Sequence, residues 1–434
     1  VVEESTTRAV LLPLIRRVLV RPRVLIPLLF AIAAAMGLVL GAVLPSNSAT
    51  IAADQATPTP DASPAQPTEP GTDPDESPSP DVPAVGDVTG AGGGVSAVNL
   101  PQPAFDTTPL KPGETPPQFV VVSFDGSGND GVFHQFMDTA DATGAKFTFF
   151  LSGIYMLPDD KRFEYTNPGR SAGESGIGFG GTADDVRGRV ENFREAYEKG
   201  HEIGTHFNGH SCQTNTGSVQ TFTSADWDSE LSQAEQFIDD WAANTGTVDV
   251  NPLPFNGSVY KGARTPCLEG DRDAMYPVFA DHGFTYDASN TGFFQWPVKN
   301  SYGLWDFPLA TLKVGDTGRS AIAMDYNIYY QASNGETNVT DPAQCAEIER
   351  ISYDTLMNAL TASYNDTRAP LIWGMHWSQY ACGAFIDATR EFVTNATAQF
   401  PDVRFVSFDQ LAQWLDAQDP AVLAQLQARG SQLY

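Results

Sequence analysis

The sequence predicts an α/β protein of repeated strand–helix units, preceded by one transmembrane helix and a disordered linker. Three observations carry this: a charge-free apolar run near the start, a proline-rich stretch with one aromatic residue, and then apolar runs alternating with helical patterns. The 434 residues include 25 basic and 53 acidic ones, a net charge of −28. Residues 1–23 hold five arginines and two glutamates, so the rest of the chain carries 20 basic against 51 acidic residues. A surface that acidic repels phosphate backbones and argues against a nucleic-acid partner. A hydrophobic fraction of 41%, with 26 Phe and 14 Tyr, supplies a sizeable core and argues against wholesale disorder.

Residues 1–23, with Arg8, Arg16, Arg17, Arg21 and Arg23, read as a cytoplasmic basic segment. Residues 24–44 contain no charge, and 21 residues of helix span about 31 Å, enough for a hydrocarbon core of about 30 Å. No Lys or Arg follows until Lys111, so the positive-inside rule places the remainder outside the cell membrane. Secretion after signal cleavage is the rival reading. Residues 45–117 read as a disordered linker: nine prolines fall between Ile51 and Gly90, and Phe105 is the only aromatic residue. Such a composition buries too little apolar surface to offset ordering entropy.

The folded domain is expected over 118–434. Phe119–Phe124 is a continuous apolar run, Val132–Ala142 reads as helix and Lys146–Leu151 as strand. Over 184–199, Val186, Val190, Phe193 and Tyr197 share one helical face, closed by Gly200. His201–His206 reads as a buried strand, and Leu231, Ala234, Phe237, Ile238 and Trp241 mark another helix. Further strands are expected at Val259–Arg264, Phe284–Asp287, Leu371–His376 and Val403–Phe408, the last leading into a helix from Asp409. Alternating units imply parallel strands with crossover helices, as a barrel or a doubly wound sheet, with the site at the C-terminal strand ends. Ser171–Gly181 is glycine-rich, aperiodic and without a phosphate-loop ending, so it reads as a loop insertion.

Ionisable residues recur at those strand ends: Asp125, His206, Arg264, Asp287 and His376. Core packing alone does not place charge there. Of six histidines, His206 and His210 stand four apart; a helical turn between them would aim both imidazoles at one divalent ion. His134 and His282 read as surface or packing groups and His201 as structural. Four cysteines, Cys212, Cys267, Cys345 and Cys382, lie in the part expected to be extracytoplasmic, where disulfides persist; three pairings are possible. Without a CxxC pair, a thiolate zinc site is not expected. Met324-Asp325-Tyr326-Asn327 reads as a site loop without an assigned role.

Five segments in order resemble the polysaccharide deacetylases, carbohydrate esterase family 4, over about 300 residues. They are Ser123-Phe124-Asp125-Gly126-Ser127, His206-Phe207-Asn208-Gly209-His210, Arg264-Thr265-Pro266-Cys267, Asp287, and Trp373-Gly374-Met375-His376. The resemblance implies a distorted (β/α) barrel of about seven parallel strands and a hydrolase that removes acetyl groups from glycans with one divalent metal ion, zinc first. It implies Asp125 as base, Arg264 holding that carboxylate, His376 as acid oriented by Asp287, and the Cys267 backbone N–H at the oxyanion. His206 and His210 would hold the metal. It also places Cys212 and Cys267 at the barrel mouth, hence Cys212–Cys267 and Cys345–Cys382 bridges. Trp296, Trp305 and Trp373 read as core, whereas Trp377, beside His376, is expected against a sugar ring.

One position departs from the family. Its second aspartate, a metal ligand, is Gly126 here. Asn129 or Asp130 is the expected substitute ligand; otherwise Asp125 itself would ligate. The alternative function is a catalytically impaired glycan-binding protein on the same fold. A serine esterase is the third reading, and no G-x-S-x-G elbow supports it.

Overall fold

The computed structural model describes residues 95–434 apart from residues 97, 127, 213–216 and 249–250. The expected segments 1–23 and 24–44, and most of the 45–117 linker, lie outside the described residues. Among the described residues no helix is long and apolar enough to cross a membrane.

Residues 95–117 correct the boundary expected at Gln118. They form no helix, but they run along the domain as a strap. Val95 bridges Leu253, and the Leu100 N–H donates to the Pro254 carbonyl at 2.9 Å. The Gln102 amide donates to the carbonyls of Tyr197 and His201, and the Leu110 N–H donates to Gln418 Oε1 at 2.8 Å. The composition led to an expectation of disorder, whereas these residues borrow hydrogen-bond partners from the domain.

The domain opens with β1 (Gln118–Asp125), every residue of which is buried. Then come α1 (Asp130–Thr143), β2 (Thr148–Leu151), α2 (Ala183–Glu198) and β3 (Glu202–Thr205). α2 starts at a capping box in which Thr182 and Asp185 exchange hydrogen bonds, and its apolar face matches the predicted stripe. Next are α3 (Ser224–Asp239), α4 (Trp241–Asn244), β4 (Gly262–Ala263), α5 (Arg272–Asp281) and β5 (Tyr286–Asp287). Short strands follow: β6 (Thr291–Gly292), β7 (Val298–Lys299), β8 (Trp305–Asp306), β9 (Leu309–Lys313) and β10 (Ser320–Ile322). The chain ends with α6 (Asp325–Ala332), α7 (Pro342–Tyr364), β11 (Leu371–His376), α8 (Tyr380–Gln399), β12 (Val403–Phe405), α9 (Phe408–Asp416) and α10 (Pro420–Gln427).

The main sheet runs β11-β1-β2-β3-β4-β5-β8-β7, with β12 also on β1. From β11 to β8 all pairings are parallel, and β7 closes the edge antiparallel. β6, β9 and β10 form a second small sheet. A parallel bridge between Met324 and Gly374 leads the chain from that sheet back to β11, the far edge of the main one.

The main sheet is curled. Laid flat, β4 would lie three strand spacings, about 14 Å, from β1. That is more than one arginine spans, yet Arg264, just past β4, places Nη1 2.9 Å from Asp125 Oδ1 at the end of β1. This is a mixed α/β fold with helices outside a curled parallel sheet. Trp296, Trp305 and Trp373 are buried, as expected of core residues.

Candidate active site

β1 and β11 pair in register so that Asp125 stands opposite His376. β11 is apolar until His376, and β1 ends in Asp125 after a mostly apolar run broken by Ser123. Arg264 is fully buried and donates through Nη1 to Asp125 Oδ1 and to Ser123 Oγ, each at 2.9 Å. Its guanidinium carbon lies 4.8 Å from the Phe150 ring centroid, and Nε donates to the Ala288 carbonyl at 3.2 Å. Burial works to raise the Asp125 carboxyl, but Arg264, then His206 and His376, outweigh it and hold the group below its ordinary value. Asp125 is therefore ionised at neutral pH, in the form that accepts a proton.

His206 follows β3 directly. Its Nδ1 lies 2.8 Å from the Arg264 carbonyl, which fixes the ring and leaves Nε2 as its ligating atom. Burial pulls the imidazole down to about 3, with Asp125 opposing and His210 adding to the drop. The ring is thus neutral, the form that binds a metal. His206 and His210 have ring centroids 5.1 Å apart. The segment joining them is not the expected helical turn: it is a loop in which Phe207 (φ 61°) and His210 (φ 45°) take the left-handed region. The pair converges because that loop is held, not because of helical spacing.

His376 corrects the predicted acid–carboxylate pairing. Its Nδ1 lies 2.7 Å from Asp325 Oδ1, and its backbone N–H donates to Asp325 Oδ2 at 2.7 Å. Asp325 is fully buried, and the His376 side chain is 30% exposed, so the imidazole is anchored behind and open in front. Asp287 is elsewhere. It accepts from the Tyr276 hydroxyl, the Ser289 N–H and the Asn290 amide, with Arg272 at 3.6 Å. The reason is strand order: β5 stands five places from β11. Asp325 follows Met324, whose bridge to Gly374 brings it two residues short of His376. The sequence marked Met324–Asn327 as a site loop, but no local signal names a partner 51 residues away.

Asp130 does not join the histidine pair. It lies in the first turn of α1, accepts from the Asn192 amide at 2.8 Å and sits 3.6 Å from His134. Asn129 is spent as the α1 N-cap, accepting from the Val132 N–H. Gly126 has φ 85°, so an aspartate there would be strained even though its Cβ would find room, 3.6 Å from Tyr155. Ser127 lies outside the described residues.

Among the described residues, the one group of three metal-ligating side chains within 4.8 Å is His210, Cys212 and Cys267. The two sulfurs are already joined to each other. The residues present thus offer a divalent ion two imidazoles, and among the described residues no third His, Cys, Asp or Glu with a free ligand atom joins both within that distance.

Trp377 is also corrected. It is 2% exposed and stacks on Phe149 and Phe133, and any side chain at Gly128 would meet its Cβ at 2.7 Å. It packs close to Gly126 and Gly128, within the Phe149 stack, and cannot face a sugar. The partly exposed aromatic residue near His376 is Tyr380, with ring centroids 6.5 Å apart, backed by Tyr326 and Tyr329. Cys212 is bonded to Cys267 and Cys345 to Cys382. The first bridge ties the segment after His210 to the segment after Arg264. Cys267 itself has φ 53°. His201 is structural: its Nδ1 accepts from the Phe147 N–H at 3.0 Å.

No protein-family profile and no curated protein matches the chain. Solved structures do. One, from Mycobacterium smegmatis and provisionally assigned as a polysaccharide deacetylase, is 16% identical, covering 73% of this chain and 95% of that one at a TM-score of 0.41. The peptidoglycan deacetylase PdaC from Bacillus subtilis is 13% identical, with 71% and 94% covered and a TM-score of 0.34. A family 4 carbohydrate esterase from Streptomyces lividans, in complex with acetate, is 13% identical, with 64% and 90% covered and a TM-score of 0.30. These likenesses are of outline only, at identities too low to bear on chemistry.

Proposed function

We propose that the domain is a hydrolase that removes N- or O-acetyl groups from a cell-wall or capsular glycan. The observation that carries this is the register pairing of Asp125 with His376. Two proton-transfer groups face one opening, and each has a partner that sets its role. Arg264 keeps Asp125 ionised and aimed. Asp325 holds the His376 imidazole in one orientation, through both its ring Nδ1 and its backbone N–H.

In this reading, water attacks the acetyl carbonyl carbon while Asp125 takes its proton. The bond from that carbon to the sugar nitrogen or oxygen then breaks, acetate departs, and His376 gives a proton to the leaving amine or alkoxide. The Cys267 backbone N–H is the proposed donor to the developing oxyanion. A divalent ion, zinc first, held by His206 and His210, would polarise the carbonyl and acidify the water. Residues 24–44 would anchor the protein in the cell membrane with the domain outside, where its two disulfides persist.

The test is acetate release from acetylated sugar oligomers by the purified protein, with and without chelator, beside His206→Ala. Release that is lost in both cases supports the reading; release indifferent to both sinks it. A second reading rests on Gly126 and the two-imidazole site: a glycan-binding protein without turnover. Elemental analysis separates the two, since this second reading requires sugar binding with no stoichiometric metal.

A further inference from the structure

Glu230 is a carboxylate in the interior with no catalytic task. It lies on the inward face of α3 and is 2% exposed. Among the described residues no ion pair accompanies it, and its hydrogen-bond partners are neutral. Oε1 accepts from the Tyr165 hydroxyl at 2.8 Å. Oε2 accepts from the Asn208 N–H at 3.2 Å and from the Asn208 amide at 3.1 Å. The Asn208 amide gives a further bond, at 2.7 Å, to the Glu230 carbonyl. Burying a carboxylate is costly unless donors surround it, and here both the backbone and the side chain of Asn208, midway between His206 and His210, supply them.

The rest of that loop is held by neutral groups. The Phe207 N–H donates to Thr205 Oγ1 at 2.9 Å, and its carbonyl accepts from the Gly153 N–H at 2.6 Å. The Gly209 carbonyl accepts from the Gly176 N–H at 2.6 Å, so the glycine-rich insertion lies directly on the loop. Tyr165 belongs to the same β2–α2 connection. Two non-glycine residues with positive φ cost on the order of 1–3 kcal/mol each, and such a conformation persists only where its surroundings over-determine it.

We infer that Glu230 is a positioning residue for the imidazole pair: it clamps the His206–His210 loop, through Asn208, in the conformation that brings both rings together for a single cation. The inference rests on the reading of that pair as an ion site. Its consequence is that ion affinity depends on a side chain that touches neither histidine.

The experiment measures zinc affinity by competition with a chromophoric chelator, with thermal melts and amide hydrogen exchange alongside. Glu230→Leu should weaken zinc binding about 10- to 100-fold and speed exchange at Asn208, with β1 amides still protected. Glu230→Gln, which keeps an acceptor oxygen in place, should restore most of both. Should Glu230→Leu fail to fold, Asn208→Ala removes the side-chain part of the clamp and must show the same losses in smaller degree. A folded Glu230→Leu, or Asn208→Ala in its place, with wild-type zinc affinity overturns the inference. If the wild-type protein binds no zinc, the ion-site reading falls by itself, and unchanged exchange at Asn208 in the variant then overturns the clamp.

Discussion

The ends of β11 and β3 each present histidine to the same opening, but they are built differently. At β11 a six-residue strand delivers His376 in register with Asp125, and the buried Asp325 fixes its ring. At β3 the strand stops at Thr205, and the imidazoles are set by a left-handed loop pinned from α3, from the β2–α2 connection and by a disulfide. Strand register is fixed by the whole sheet, whereas a loop is only as fixed as its clamps. Damage on the β11 side should therefore appear in chemistry or in global stability, and damage on the β3 side in ion affinity.

The largest effect expected is from Arg264→Ala, which leaves Asp125 buried without its cation. Breaking such a pair costs about 3–5 kcal/mol, read as a lower denaturation midpoint, and unchanged stability would contradict the interior tie. Asp325→Asn should cut kcat for acetate release about 10²- to 10⁴-fold with zinc affinity retained, because an amide can turn its NH2 toward Nδ1 and no longer fixes the ring's orientation and tautomer. Asp287→Asn should change kcat little, and the reverse ranking would restore the pairing drawn from the sequence. Reducing the Cys212–Cys267 bridge should cost about 2–4 kcal/mol and weaken zinc binding; cleavage that leaves zinc affinity intact would free the loop from that clamp.

The smallest effect concerns the support of α3. His282 lies 2.8 Å from Glu235 and 3.0 Å from Asp228, and these hydrogen bonds, Glu235 first, raise its pKa from 6.5 to about 9. A raised histidine contributes stability that is full below about pH 6.5 and lost as pH rises through about 9. His282→Gln should therefore lower the melting temperature at pH 6 and have no effect at pH 10. The loss should be on the order of 1 kcal/mol, since Asp228 is solvent-screened. Equal losses at both pH values would mean a packing role only.

Much of this was legible in the chain. Long apolar runs ending in one charge gave β1 and β11 and put Asp125 and His376 at the opening, and the stripe through Val186, Val190, Phe193 and Tyr197 gave α2. The Cys212–Cys267 bridge followed from placing those two cysteines at the barrel mouth, and Cys345–Cys382 was the pair left over. What escaped was partner choice across the sheet. Asp287 ends a strand as Asp325 does not, so it was the natural candidate; only the Met324–Gly374 bridge, invisible to periodicity, brings Asp325 to His376. Trp377 escaped because a residue next to His376 on an extended segment points the opposite way, into the Phe149 stack. The β3 loop escaped because four-residue spacing suggests a helix, and nothing local reveals a glutamate twenty residues on.

The strap of residues 95–117 has a consequence for delivery. It passes Gly200, Lys146 and Val403, where β3, β2 and β12 begin, whereas Asp125, His206 and His376 stand where strands finish. Whatever holds the protein by its amino-terminal side therefore grips it from behind. A hold there would leave the strand ends that carry Asp125, His206 and His376 unobstructed.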